Sequence, residues 1–200
     1  MKTVSSHELA NKFHLNSSQI RKDLACFGEF GIRGVGYNVA KLRNSLVQTL
    51  GIDQTRNIVI VGAGNLGMAL ADYRGFNNGG FHIVGLLDSD PHKIGTLSRS
   101  GIPVNSFSIL PQLAETNELE IGIIAVPAEH AQEIYDAFVD SGIRAVLNFA
   151  PVQIRTRKGV KIRSVDLRIN LESLSFYLKN AEAGVGDLIE EHASNQSEES

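Results

Sequence analysis

The stretch Ile58–Tyr73, IVIVGAGNLGMALADY, constrains the fold more than any other part of the chain. Four apolar residues run into Gly62, Gly64 and Gly67, and a helical run follows. A G-x-G-x-x-G triplet in that setting is the signature of a dinucleotide cradle. The first glycine permits a tight turn, the second lets backbone approach a pyrophosphate, and the third lets helix and strand pack closely. Backbone N–H groups at the helix start then face the phosphates. The cradle would comprise Gly62, Ala63, Gly64, Asn65, Leu66 and Gly67. The plainer alternative is a structural turn with no ligand.

The body repeats the same logic. Near-continuous apolar runs at 58–61, 82–87, 121–126 and 145–149 read as strands covered on both faces. Helical runs at 66–73, 109–114 and 129–140 separate them. Alternation of this kind predicts an α/β fold with a doubly wound, Rossmann-like parallel sheet. The run FHIVGLLDSD then supplies Asp88, 21 positions after Gly67. A carboxylate at that strand end accepts the adenine ribose hydroxyls and repels a 2′-phosphate. Ser89 follows rather than an arginine, which favours NAD(H) over NADP(H). Ligands in such sheets lie across strand carboxyl ends, which adds Val126, Pro127, Asn148 and Phe149. Pro127 could equally just end a strand.

Hydride-transfer enzymes need a substrate pocket and an acid–base group beside the nicotinamide. Little chain remains here to build a substrate domain. Among six histidines only His130, opening a helix at the strand-end face, is a catalytic candidate, and a solvated helix residue is the simpler reading. No catalytic residue is assigned. The single cysteine, Cys26, excludes a disulfide framework and a CxxC metal site, and no metal site is expected. No run approaches the length of a membrane span, and a reducing, cytoplasmic setting fits.

The first fifty residues do not belong to that pattern. They carry seven Lys/Arg against three Asp/Glu, whereas the remainder carries twelve against nineteen. A basic head suggests a polyanionic partner. Ser5 and Glu8 form a possible capping box ahead of one short helix. Asn16, with Gln19 in the reciprocal position, caps a second over 17–27, with Ile20, Leu24 and Phe27 inward. The opposite face carries Ser18, Lys22 and Ala25, with Gln19 and Arg21 on its flanks. GEFGIRGVGYNV then reads as a glycine-rich hairpin, and a helix with Leu42, Leu46 and Leu50 inward ends at Gly51. Two helices and a hairpin predict a helix-turn-helix with a wing. Its second helix would enter the major groove, and Arg33 and Lys41 would reach phosphates. A helical cap with a solvated basic face is the alternative.

SSHELA, QIRKDLACFGEFGIRGVGY, IVGAGNLGMALADY, VPAEHAQ, LNFAP and VDL together resemble the Rex redox-sensing transcriptional repressors, from Val4 to Asn180. The resemblance implies a homodimer with winged-helix heads, NAD(H)-binding bodies and a C-terminal helix exchanged between protomers. It implies binding of a double-stranded DNA operator and its release when NADH binds. Tyr73 and Asp166 match a tyrosine and an aspartate of the nicotinamide-side switch, and Arg33 and Tyr37 match the wing. The family carries a further helix ahead of this point, which supplies an arginine partner for the switch aspartate. Cys26 stands where a tyrosine is usual.

The expected organisation is therefore a winged-helix domain over 1–51, a Rossmann domain over 52–168, an exchanged helix over 169–182 and a disordered acidic tail over 183–200. In the final helix Leu171, Leu174 and Leu178 share a stripe while Phe176 points elsewhere, so partners are wanted on more than one side. An apolar slot of Val126, Pro127, Phe149 and Phe176 of the partner subunit would prefer the neutral dihydronicotinamide ring, with Asp166 nearby as counter-charge to the oxidised one. A small NAD-dependent oxidoreductase with an oligomerisation head, and a CoA- or nucleotide-binding module, are the alternatives from other classes.

Overall fold

The computed structural model describes residues 3–28, 31–32 and 34–182. Arg33 and the expected acidic tail lie outside the described residues. Contacts divide the chain into two units, 1–56 with 74–82, and 57–73 with 83 onward.

In the first unit α1 (Ser6–Phe13) and α2 (Ser17–Ala25) precede strands β2 (Gly31–Ile32) and β3 (Gly36–Asn38) and helix α3 (Val39–Thr49). The capping box forms: Glu8 donates its N–H to Ser5 Oγ over 3.1 Å, and Ser5 donates its own to Glu8 Oε2 over 2.7 Å. These bonds hold the Glu8 carboxyl below the usual range. Asn16 Oδ1 accepts from Ser18 and Gln19, but Gln19 turns its amide to Asp23 instead of closing the box. Strand β1 (Thr3–Val4) pairs with β3 and completes a three-stranded antiparallel sheet that local patterning does not show. Among the described residues of the head, Ala10, Ile20 and Leu42 are the buried positions. Leu50 and Phe27, expected inward, are exposed, because α3 and α2 end at Thr49 and Ala25 before those residues complete the apolar stripe.

The second unit is built on a six-stranded sheet. Strands β4 (Arg56–Val61), β5 (Phe81–Asp88), β6 (Val104–Ser106), β7 (Ile121–Ile124), β8 (Ala145–Asn148) and β9 (Lys161–Ser164) lie in the order β6-β5-β4-β7-β8-β9. The β5–β6, β4–β7, β7–β8 and β8–β9 pairings are parallel. From β4 the chain builds outward on one side, then returns to build β7 to β9 on the other. The strand order reverses at β4 and β7, where a ligand crevice opens in such sheets.

Helices α4 (Asn65–Ala71), α6 (Leu110–Asn117) and α7 (Ala128–Asp140) connect or cover the strands, and α5 (Arg74–Asn78) groups with the head. Val59, Val61, Leu87, Ile124, Tyr135 and Phe138 belong to one buried cluster. Each such side chain contributes roughly 1.5–3 kcal/mol by leaving water. Helix α7 also clasps the segment after β8. Tyr135 Oη accepts from Arg157 N–H, and the Arg157 guanidinium spans Asp136 and Asp140. Helix α8 (Leu167–Glu182) is different: Leu167, Ile169, Leu171, Leu174, Phe176, Tyr177 and Leu178 are all more than half exposed. Among the described residues no helix is long and apolar enough to cross a membrane.

Candidate nucleotide and nucleic-acid sites

The glycine turn sits where β4 and β7 diverge. Gly62 adopts φ of 105°, and a Cβ there would strike the Ala125 carbonyl. A Cβ on Gly67 would collide with the Gly62 carbonyl oxygen. The fold itself therefore demands those two glycines. Gly64 is unlike them. Its φ is −81°, open to any residue, and no protein atom lies within 4 Å of where its Cβ would stand. Gly64 lines a cleft of about 400 Å³, so a Cβ would take room from an occupant rather than from the fold. Of the expected cradle, Gly62 and Gly64 line this cleft, Leu66 lines a separate hollow, and Ala63, Asn65 and Gly67 line neither.

The cleft is also lined by Val61, Gly62, Asp88, Phe107, Val126 and Pro127. Asp88 is almost wholly buried at the end of β5. Its Oδ2 accepts from Ala63 N–H over 2.7 Å and from Lys93 Nζ over 3.0 Å, and its Oδ1 accepts from Asp90 N–H. Burial pushes the Asp88 carboxyl up, but the Asp90 N–H, the Lys93 ammonium and the Ala63 N–H together outweigh it and hold the group below the usual carboxylate range. Sequence reasoning placed His130 at this strand-end face but missed Lys93, Phe107, Glu133 and Ile134 as cleft residues. Only the α7 residues carried a signal, since their i, i+3, i+4 spacing places them on one helix face.

A second hollow of about 180 Å³ is lined by Leu66, Phe149, Pro151, Val165, Asp166, Leu167 and Arg168. The single slot expected from Val126, Pro127 and Phe149 is thus divided: the first two line the larger cleft and Phe149 the smaller. Phe176 lines neither and lies against Tyr177 on exposed α8. Tyr73 is exposed just beyond α4 and also lines neither. One expectation needs correction. Asn148 is fully buried; its amide donates to Ala150 O and Val152 O, and its Oδ1 accepts from Ala150 N–H. It shapes the loop that carries Phe149 and does not face either cleft. Asp166 does line the smaller hollow, and its carboxylate is also held by backbone. Its Oδ1 accepts from the N–H groups of Arg168 and Ile169 and caps α8. The strand end and the helix start meet at this residue, so backbone donors are at hand.

In the head, Ser18, Gln19, Arg21 and Lys22 are exposed along α2, as is Lys41 on α3. Arg21 donates to Ser6 Oγ over 3.2 Å and lines a hollow of about 530 Å³ with Ser5, Ile32, Val35 and Tyr37. The structure thus brings α2 and the hairpin side by side around Arg21. Tyr37 is half-buried against Gly31, so its ring braces the hairpin. Among the described residues no group of His, Cys, Asp and Glu could hold a metal ion.

Known proteins share both halves of this arrangement. The family described as putative DNA-binding protein N-terminus matches residues 1–25, and the CoA binding domain family matches 53–152. The redox-sensing transcriptional repressor Rex of Carboxydothermus hydrogenoformans is 47% identical over 88% of this chain and 85% of its own. A crystal structure of RSP in complex with beta-NAD+ and operator DNA superposes with a TM-score of 0.85 at 38% identity, covering 95% of this chain and 87% of that one. RSP in complex with beta-NADH superposes with a TM-score of 0.79 at 37% identity, over 94% and 86%. Identity at this level, running through head and glycine-loop sheet alike, means that the chain belongs to the Rex family of redox-sensing transcriptional repressors.

Proposed function

We propose that the chain is a DNA-binding repressor that reads the NADH/NAD⁺ ratio and leaves its operator when NADH binds. The observation that carries this reading is the likeness over 95% of the chain to a repressor solved with both a nicotinamide dinucleotide and operator DNA. The protein is a regulator and not an enzyme: sensing is differential binding, and no acid–base dyad is required. It works in the cytoplasm as a homodimer, with a winged-helix domain over 1–51 and a Rossmann domain over 52–168. The bare apolar face of α8 supports exchange of that helix between protomers.

The residues divide the work as follows. Gly62 to Gly67 hold the pyrophosphate, and Asp88 faces the adenine ribose. Leu66, Phe149, Pro151 and Val165 offer an apolar wall at the nicotinamide end. The reduced ring is neutral and the oxidised ring carries one positive charge. An apolar wall disfavours the cation unless a carboxylate compensates it. Asp166 is that carboxylate, and because it also caps α8 it ties the ring's charge to the placement of the exchanged helix. Ser18, Gln19, Arg21 and Lys22 read DNA from α2, and Tyr37 and Lys41 contact it from the hairpin and α3. Recognition helices of a dimer must sit about 34 Å apart or a multiple of it. A rearrangement that misaligns them releases DNA, and coupling of ~1–3 kcal/mol between the sites gives a 5–150-fold effect.

The test is a gel shift on a duplex that the protein selects from a random pool, across NADH/NAD⁺ ratios. Release by NADH and retention with NAD⁺ is the expected result. DNA binding indifferent to both nucleotides overturns the sensing reading.

A further inference from the structure

Ser89 follows Asp88 in the sequence, and no arginine stands there to receive a 2′-phosphate. The structure nevertheless brings a cation to that position from five residues on. The turn after β5 is closed by Asp90, whose Oδ1 accepts from His92 N–H and whose carbonyl accepts from the N–H groups of Lys93 and Ile94. Gly95 then donates to the carbonyl oxygen of Val104, the first residue of β6, which fixes the far side of the turn. Lys93 is thereby folded back over the end of β5, with Nζ 3.0 Å from Asp88 Oδ2. Asp88 is nearly buried, while the Lys93 side chain is 40% exposed, and both line the cleft at the glycine turn.

A carboxylate has about four lone-pair sites. Three on Asp88 are taken, by Ala63 N–H, Asp90 N–H and Lys93 Nζ. The two backbone bonds belong to the fold. Lys93 alone among the three donors is on a flexible stem that can leave. It competes with ribose hydroxyls for Oδ2, and its charge offsets the repulsion that Asp88 would exert on a phosphate.

We infer that Lys93 is a specificity-determining residue of the adenosine end, one that relaxes the preference Asp88 imposes for a free ribose over a 2′-phosphorylated one. The inference rests on the NAD(H) reading above and deepens it. Lys93 is the one lysine or arginine among the described residues lining the cleft, beside the imidazole of His130, while Asp90 and Glu133 are anionic and would repel a phosphate further.

The experiment is a set of titrations of NADH and NADPH, followed by nicotinamide fluorescence, on the parent chain, Lys93→Met and Lys93→Arg, with the melting temperature of each ligand-free protein. Lys93→Met keeps the stem and removes the charge, and Asp88 keeps its two backbone donors. The NADH/NADPH affinity ratio should rise about fivefold, the scale of one partly exposed charge pair, chiefly through weaker NADPH binding. Lys93→Arg should keep the parent ratio. An unchanged ratio in Lys93→Met overturns the assignment while leaving NADH sensing intact. Equal loss of both nucleotides with a lowered melting temperature also overturns it and makes Lys93 a brace for the loop. A parent chain that binds neither nucleotide overturns the cofactor reading itself.

Discussion

Ala63 donates its backbone N–H to Asp88 Oδ2 over 2.7 Å, so the carboxylate that ends β5 holds the glycine turn that ends β4. One residue thus lines the cleft and supports the glycine turn. Asp88→Ala should lose about 1–3 kcal/mol through the unpaired N–H and weaken NADH binding in the same step. Chemical denaturation and NADH titration measure the two effects. Asp88→Arg would also lose the loop support, so a switch to NADPH in that variant should come with reduced stability.

The same bonds set a pH dependence. The Asp88 carboxyl is held below its ordinary value in the folded protein. Its stabilising contribution is therefore complete above the ordinary carboxylate pKa, about 3.9, and is lost as pH falls through the depressed folded value. Melting temperatures of the parent and Asp88→Asn should differ near neutrality and converge under strong acid. Curves that stay parallel down to acid unfolding would remove Asp88 from the account of acid stability.

Gly64 and Gly67 should respond in opposite ways to alanine. Gly64→Ala meets no protein atom and should leave the melting temperature unchanged, while NADH affinity falls by about tenfold or more, or 1.4 kcal/mol. Gly67→Ala drives a methyl into the Gly62 carbonyl and should cost about 1–3 kcal/mol of stability as overpacking. Full NADH affinity in Gly64→Ala would place the pyrophosphate elsewhere.

Arg21→Ala and Lys22→Ala should weaken DNA binding and spare NADH binding, since both side chains are exposed on the head. A residue reading a base should cost ~1–3 kcal/mol, and one on a phosphate should reduce the salt slope by about one unit. Parent-like DNA affinity in both variants would mean that α2 is not the recognition helix.

Asp166 tests the charge account of sensing. Asn caps helices about as well as Asp, whereas Ala loses about 1 kcal/mol. Asp166→Asn therefore keeps the α8 cap and removes only the charge. The NADH/NAD⁺ affinity ratio should rise as NAD⁺ loses its counter-charge. If two titrations give the parent ratio, Asp166 serves as a cap alone.

The glycine loop, the alternating strands and helices, and the caps at Ser5 and Asn16 were legible in the chain because each rests on interactions within a few residues. Gly62, Gly64 and Gly67 act through the backbone of one turn, and Ser5 reaches Glu8 within one helical turn. Those local signals determined the fold class and the family. Tertiary structure alone decided the rest. Strand β1 exists only because Val4 meets Tyr37 from far along the chain. Asn148 carries the same amide whether it faces a ligand or a loop, and only the packing of β7, β8 and β9 around it set its burial. Asp166 reads as a carboxylate beside a ligand, and only the start of α8 directly behind it supplies two N–H donors. Lys93 reads as a surface lysine until the turn at Asp90 folds it over Asp88. The physical reason is common to these cases: a residue type fixes what a side chain can bond to, and only the folded path of distant backbone fixes which partner stands within 3 Å.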